Sequence, residues 1–463
     1  MSPTSDGASA GMVLAKVGWR DKIVGISWLI DKVEVDRGVE VDYRGMSADT
    51  SLAAVKFPVL LHHALGHDHQ SRRREYMPEE KLSRMRDELA PVSDVSRQGT
   101  GVGPEEGVAL CLSGGGYRAM LFHTGVLWRL HQAGLLRTVK RVSSVSGGTI
   151  TAAVLANKWS AIYGAGVPAA AFVDELVLPI RKFAHVSVDV ASVGKGTFLP
   201  GTISEYVADA YDDHLFHGAT LQSIPDGAPR FVFNATSVQS GALWRFSKPY
   251  MGDYLVGRVE SPKVRLADAT AASSAFPPFL SPATLKDDGW KWFPVTTEPL
   301  HKEPFTETVV LTDGGVYDNL GLETAWKRYA TILVSDAGQK MDPEGRPHED
   351  WARHAKRVLD VVDNQVRSLR KRQLIEAFKS KLRKGAYWGI RTDISKYGVP
   401  SLPCPIERTQ ALAEVATRLS ALDDLTQERL INWGYAVCDA ALRAWVDPAI
   451  APATGFPYPA SAV

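Results

Sequence analysis

The sequence predicts an α/β protein: a mostly parallel central sheet flanked by helices, with an N-terminal extension before it and a helical region after it. Two observations carry this. Short apolar runs of the buried-strand type alternate with segments of helical spacing from residue 107 onward, and small-residue turns stand where strands hand over to helices. Composition agrees with a folded chain. Of 463 residues 45% are hydrophobic and 23% charged, which excludes disordered and fibrous classes. The 53 Lys and Arg balance 52 Asp and Glu, leaving a net charge of +1 and no global field for a phosphate backbone, so no nucleic-acid partner is expected.

Residues 1–106 form the extension. Its end, from Val92 to Gly107, is a run of turn formers that reads as a linker. No signal peptide is expected, because the first 25 residues carry Lys16, Arg20, Asp21 and Lys22 and no apolar core. No apolar run approaches the roughly 20 residues of a bilayer-spanning helix, and Cys111, Cys404 and Cys438 have no paired spacing, so a cytoplasmic location is expected.

The central domain is read over residues 107–345. Val108-Ala-Leu-Cys-Leu112 is a buried strand, Ser113-Gly-Gly-Gly116 a loop, and Arg118–Leu136 a helix. Arg141–Ser146 and Thr149–Ser160 repeat the strand-to-helix step. Arg230–Thr236, Thr308–Thr312 and Ala330–Val334 supply further strands. Residues 346–463 read as mostly helical with a frayed end rich in Pro and Ala.

Three motifs sit at strand ends. Ser144-Val-Ser146-Gly-Gly148 is a near-match to the nucleophile elbow G-x-S-x-G, with Ser144 in place of the first glycine. An ordinary Ser/Gly turn is the competing reading. Gly114, Gly115 and Gly116, followed by Arg118, open a helix after a buried strand. Their amides are suited to an oxyanion, and Arg118 would add positive charge. A nucleotide site is the weaker use, since the loop lacks the Lys-Ser/Thr of a P-loop and has Ala119 where a dinucleotide fingerprint needs glycine. Asp313, in Thr312-Asp-Gly-Gly315, ends a strand as either a candidate base or a helix cap, and Asp336 is the rival acid at the end of the next strand.

Together, Ser113-Gly-Gly-Gly-Tyr-Arg-Ala119, Ser146-Gly-Gly148 and Asp313-Gly-Gly315 resemble the patatin-like phospholipase family, with a glycine loop similar to that of cytosolic phospholipase A2. Phe233-Asn-Ala-Thr236 and Ala271–Pro278 are similar to family segments, and the resemblance covers about residues 107–340. It implies a Ser-Asp dyad: Ser146 as nucleophile, Asp313 as base, the Gly114–Gly116 amides as oxyanion hole, a phospholipid or other lipid ester as substrate, and no cofactor or metal. Two alternatives stand beside it. One is an α/β-hydrolase triad completed by His348 or His354; the other is a non-catalytic lipid-binding or scaffold protein of the same fold.

Residues 366–384 hold eight basic residues and one acid, Glu376. With Val358, Val362, Val366, Leu369, Phe378 and Leu382 at helical spacing they form a basic amphipathic helix, suited either to peripheral membrane contact or to packing on the core. His62, His63, His67 and His69 gather near Asp68, a set that could ligate a transition metal but has no standard metal spacing and reads first as solvated surface histidines, and Arg72-Arg-Arg74 reads as a solvated cluster or an interaction site. Residues 281–307, with Trp290, Trp292 and Phe293, read as a long irregular insertion, either a functional lid or simply packed surface, and residues 183–225 as a second segment that could cover the site.

Overall fold

The apolar run after Gly107 forms a strand in a computed structural model that describes Leu89 and residues 104–189, 202–295 and 300–463. That strand, β1 (Glu105–Leu112), hands over to α1 (Gly116–Gln132), and β2 (Val139–Val145) hands over to α2 (Gly147–Tyr163). Two short helices, α3 (Leu178–Phe183) and α4 (Ile203–Tyr211), precede β3 (Arg230–Ser237). A meander of β4 (Leu243–Phe246), β5 (Tyr250–Asp253) and β6 (Gly257–Glu260) leads to α5 (Leu266–Ser273), β7 (Ala283–Lys286), β8 (Trp292–Phe293) and β9 (Thr308–Asp313). Then come α6 (Gly315–Asp318), α7 (Glu323–Trp326), β10 (Tyr329–Asp336), α8 (Trp351–Lys379), β11 (Lys384–Gly389), α9 (Ile406–Ala413) and α10 (Asp424–Trp445).

The eleven strands of the described residues belong to one mixed sheet. The expected parallel layer is β10-β1-β2-β3; β11, in residues read from the sequence as helical, extends it in parallel beside β10, and beyond β3 every pairing is antiparallel because hairpin turns, not crossover helices, connect the meander. The sheet is covered on both sides. In β1, Leu110 and Leu112 face the larger core with α1, α2 and α10, whereas Ala109 and Cys111 face a smaller one closed by Leu320, Trp326, Leu374 and Ala377. Alternate side chains of one strand serve opposite cores, which is why its sequence is continuously apolar.

The C-terminal residues complete this unit. Helix α10 lies along α1 at backbone contact: a Cβ on Gly125 would overlap the Ile431 carbonyl, and one on Gly434 the Phe122 carbonyl. Asp439 of α10 accepts from Arg129 of α1 at 2.8 Å and from Arg443 at 2.6 Å, burying a three-charge cluster between the helices. The stretch read as an irregular insertion, 281–307, instead adds β7 to β9 and β8 to β6, and Trp290 and Trp292 pack against the larger core. Short strands broken by turns carry too little periodicity to be seen in the sequence. The histidine cluster 62–69 and Arg72–Arg74 lie outside the described residues.

Candidate active site

Register along β3 brings the two principal candidates together. Val145, the last residue of β2, pairs with Asn234, and Asp313, the last residue of β9, pairs with Ala235. Because β4 occupies the other edge of β3 over residues 233–236, β2 and β9 share one edge. They run toward each other and their tips meet, one carrying Ser146 and the other Asp313.

At the tip of β2 the chain turns sharply. Ser146 has φ 50 and ψ −123, a conformation sparsely populated by residues with a Cβ, and α2 begins at the next residue. Its N–H donates to the carbonyl of Ser273 at 3.2 Å and to Ser273 Oγ at 3.0 Å. The same Ser273 carbonyl accepts the N–H of Gly314 at 3.3 Å, so one peptide oxygen ties the serine turn to the aspartate turn. Ser144, which departs from the elbow pattern, is accommodated below the turn. Its hydroxyl accepts from Thr149 at 3.0 Å, and Thr149 also bonds Ser273 at 2.8 Å.

Asp313 is buried, and this burial pushes its carboxyl up to about 7 against the opposing effects of the Gly315 N–H and the Ser146 hydroxyl. Oδ1 accepts from Gly315 N at 2.7 Å. Ser146 is a hydrogen-bonding neighbour of the carboxyl, yet Oδ2 has no partner of good geometry. Asp336 differs. Burial opposes its charged form, but Arg367, Lys371, the Tyr387 hydroxyl at 2.7 Å and the Gly338 N–H at 2.9 Å together hold it below the ordinary carboxylate range. A carboxylate so fully engaged is a poor base. His348 and His354 are exposed, unlike Ser146 and Asp313.

The glycine loop packs directly on the serine turn. A Cβ on Gly148 would stand 2.6 Å from the carbonyls of both Leu112 and Ser113, one on Gly147 would overlap Gly116, and one on Gly114 would lie 3.1 Å from Ser146 Cβ. The three loop amides differ. Gly114 N–H already donates to the Asn319 carbonyl at 3.1 Å, so Gly114 provides clearance and not a free donor. The N–H groups of Gly115, Gly116 and Gly147 have no acceptor among the described residues. Arg118 requires a correction as an oxyanion contact. Its guanidinium is buried and donates to the carbonyls of Ala413 and Val415, each at 2.7 Å, and of Ala337 at 2.8 Å, which makes it a clasp for the C-terminal segment.

Four residues were not singled out as site residues from the sequence. Ser273 lies in the Ala271–Pro278 segment and Asn234 in Phe233–Thr236, so both signals were visible as segments without roles. Asn234 Nδ2 donates to Ser143 Oγ and the Ser144 carbonyl, each at 2.9 Å, beneath the turn. Gly147 follows from the elbow rule that the residue after the nucleophile supplies an amide. Asn319 left no signal; its carboxamide oxygen and Ser146 Cβ both lie within 3.1 Å of where a Gly114 side chain would begin. Among the described residues no cluster of three or more His, Cys, Asp or Glu is arranged to hold a metal ion.

The family model for patatin-like phospholipase matches residues 110–326. No curated protein sequence matches the chain. Among solved structures, human GIVD cytosolic phospholipase A2 in complex with a fluorophosphonate inhibitor and terbium chloride aligns at 16% identity and TM-score 0.42, covering 79% of this chain and 63% of that one. A second structure of the human enzyme covers 56% and 47% at 16% identity and TM-score 0.34. VipD from Legionella pneumophila aligns at 14% identity and TM-score 0.27 over 68% and 67%. The chain thus spans between about half and two thirds of the length of these human proteins.

Proposed function

Taking as premise that residues 110–326 are a patatin-like phospholipase domain, we propose that the chain is a serine acyl hydrolase that cleaves fatty-acyl esters of lipids, phospholipids foremost, with Ser146 and Asp313 as a catalytic dyad. The observation that carries the reading is the meeting of β2 and β9 on adjacent residues of β3, with a strained serine at one tip and a carboxyl of raised pKa at the other. Ser146 Oγ attacks the ester carbonyl while its proton passes to Asp313. The oxyanion is held by the N–H groups of Gly115, Gly116 and Gly147, aided by the N-terminus of α2. Collapse expels the lysolipid alcohol, which takes the proton from Asp313. Water, deprotonated by Asp313, then releases the fatty acid from the acyl-serine.

Catalysis is assigned to residues 107–345, with residues 346–463 closing the core beneath the glycine loop. The reading includes a cytoplasmic location and peripheral contact with the lipid surface through the basic segment 366–384. Among the described residues no helix is long and apolar enough to cross a membrane.

Products from a mixed-lipid extract, identified by mass spectrometry, test the reaction: wild type releases fatty acids and lysolipids, Ser146→Ala does not, and identical profiles overturn the hydrolase. A fluorophosphonate that labels Ser146 separates an enzyme from a binding protein of the same fold. Replacing His348 and His354 with alanine leaves esterase activity largely intact, and its loss in a folded His354→Ala protein would restore the triad.

A further inference from the structure

The outer face of α8 is apolar, and nothing among the described residues covers it. The helix holds the body through Arg367, Leu374 and Ala377. Trp351, Ala355, Val358, Val362, Gln365 and Leu369 follow one another at alternating steps of four and three, and all are exposed, Trp351 at 84% and Leu369 at 57%. That spacing forms a single stripe on the side away from the core. A surface helix ordinarily turns such a stripe inward, and an outward one marks an interaction surface. With 29 residues the stripe's helix is roughly 40 Å long.

Charge narrows the occupant. Between Trp351 and Lys384 seven Lys and Arg are exposed against one exposed acid, Glu376; Arg353 and Lys356 pair with Asp350 and Asp360, which leaves Lys371, Arg372, Lys379, Lys381 and Lys384 in excess, and Leu382 is exposed among the last of them. Arg367, Arg370 and Arg383 are not part of this surface. They bond the Gln339 carbonyl, Glu323 and the Trp326 carbonyl respectively. A second copy of the chain would set like charges against each other across the stripe. A flat anionic surface meets them with opposite charge. The inner side of α8 also adjoins the candidate site: α6, which begins two residues after Asp313, packs on it, and Asp363 contributes to the raised pKa of Asp313.

We propose that α8 and the turn after it dock flat on an anionic lipid surface, with Trp351, Val358, Val362, Leu369 and Leu382 entering the boundary between headgroups and acyl chains and the exposed bases contacting the headgroups. This rests on the hydrolase reading for its purpose, but its test does not need activity. The full chain bearing Ser146→Ala is sedimented with phosphatidylcholine vesicles with and without phosphatidylserine. Expected is strong binding only when phosphatidylserine is present. Adding Arg372→Gln, Lys379→Gln and Lys381→Gln lowers that partition at least ten-fold, since each base counts roughly five-fold. Val358→Ser, Val362→Ser and Leu369→Ser together lower it comparably, with thermal midpoints unchanged. Indifference to phosphatidylserine, or either triple variant binding like its parent, overturns the proposal, as does a dimer that the serine variant converts to monomer. Cleavage of a dissolved short-chain ester by wild type and Ser146→Ala, read separately, reports on the dyad alone.

Discussion

Asp313 carries two opposite demands, and titration separates them. In the proposed dyad its carboxyl has to be ionised to accept the Ser146 proton, so activity is expected to rise with pH through about 7, where the folded-state group titrates. Stability runs the other way. The folded pKa lies above the unfolded one, so the folded state binds the extra proton between about 4 and about 7, and this group's contribution to stability falls as pH rises through that window. Asp313→Asn is therefore expected to abolish turnover and, at pH 8, to raise the thermal midpoint relative to wild type; a lower midpoint in a scanning calorimetry comparison contradicts the burial argument. Ser273→Ala removes a hydroxyl that bonds the Ser146 amide, Thr149 and the Asn234 carbonyl. We expect kcat to drop about ten-fold with little change in KM, as for loss of about 1.4 kcal/mol of positioning. Steady-state kinetics on a soluble ester decides it. At this scale the sequence was informative about residue types and poor about partners. Ser146 and Asp313 announce themselves by the glycines beside them. That Asp336 is neutralised as a rival depends on Arg367, Lys371 and Tyr387, which no local pattern connects to it. Arg118 looks like part of the glycine loop, but its partners lie 295 and 297 residues further along the chain.

Among the elements, the α1–α10 pair is the most exacting. Gly125 and Gly434 let two backbones touch where any Cβ would overlap a carbonyl. Gly434→Ala should cost about 1–3 kcal/mol by overpacking, read as a lowered denaturation midpoint with an unchanged slope. An unaffected midpoint would mean that α10 moves aside freely. Strands β1, β2, β3 and β10 of the parallel layer were legible from their short apolar runs, whereas β11, with Lys384 exposed and two glycines in six residues, was read as part of a helical region. The meander from β4 to β8 was not, because two- to four-residue strands at the edge of the sheet leave neither periodicity nor composition behind. In α8 the spacing was visible, but which face looks outward was not. Phe378 packs on the smaller core, whereas Val358, Val362, Leu369 and Leu382 do not.

For the whole molecule, the C-terminal region is bound to the central domain by charge as well as by packing. Asp439→Ala would leave Arg129 and Arg443 without their shared carboxylate in a buried place, and we expect a loss of about 3–5 kcal/mol, enough to unfold the chain at modest denaturant. Chemical denaturation of that variant measures it. The head-on meeting of β2 and β9 also governs how the molecule fails. Both tips rest on neighbouring residues of β3, so any fluctuation that peels β3 from the sheet separates nucleophile and base in the same event. After such a loss β2 is still paired with β1 and β9 with β7, but the register that sets Ser146 against Asp313 is gone. For a protein whose proposed substrate is the fabric of membranes, this amounts to an interlock: the proposed capacity to cut lipids depends on the pairing of one buried interior strand, so any opening that takes β3 with it disables the site.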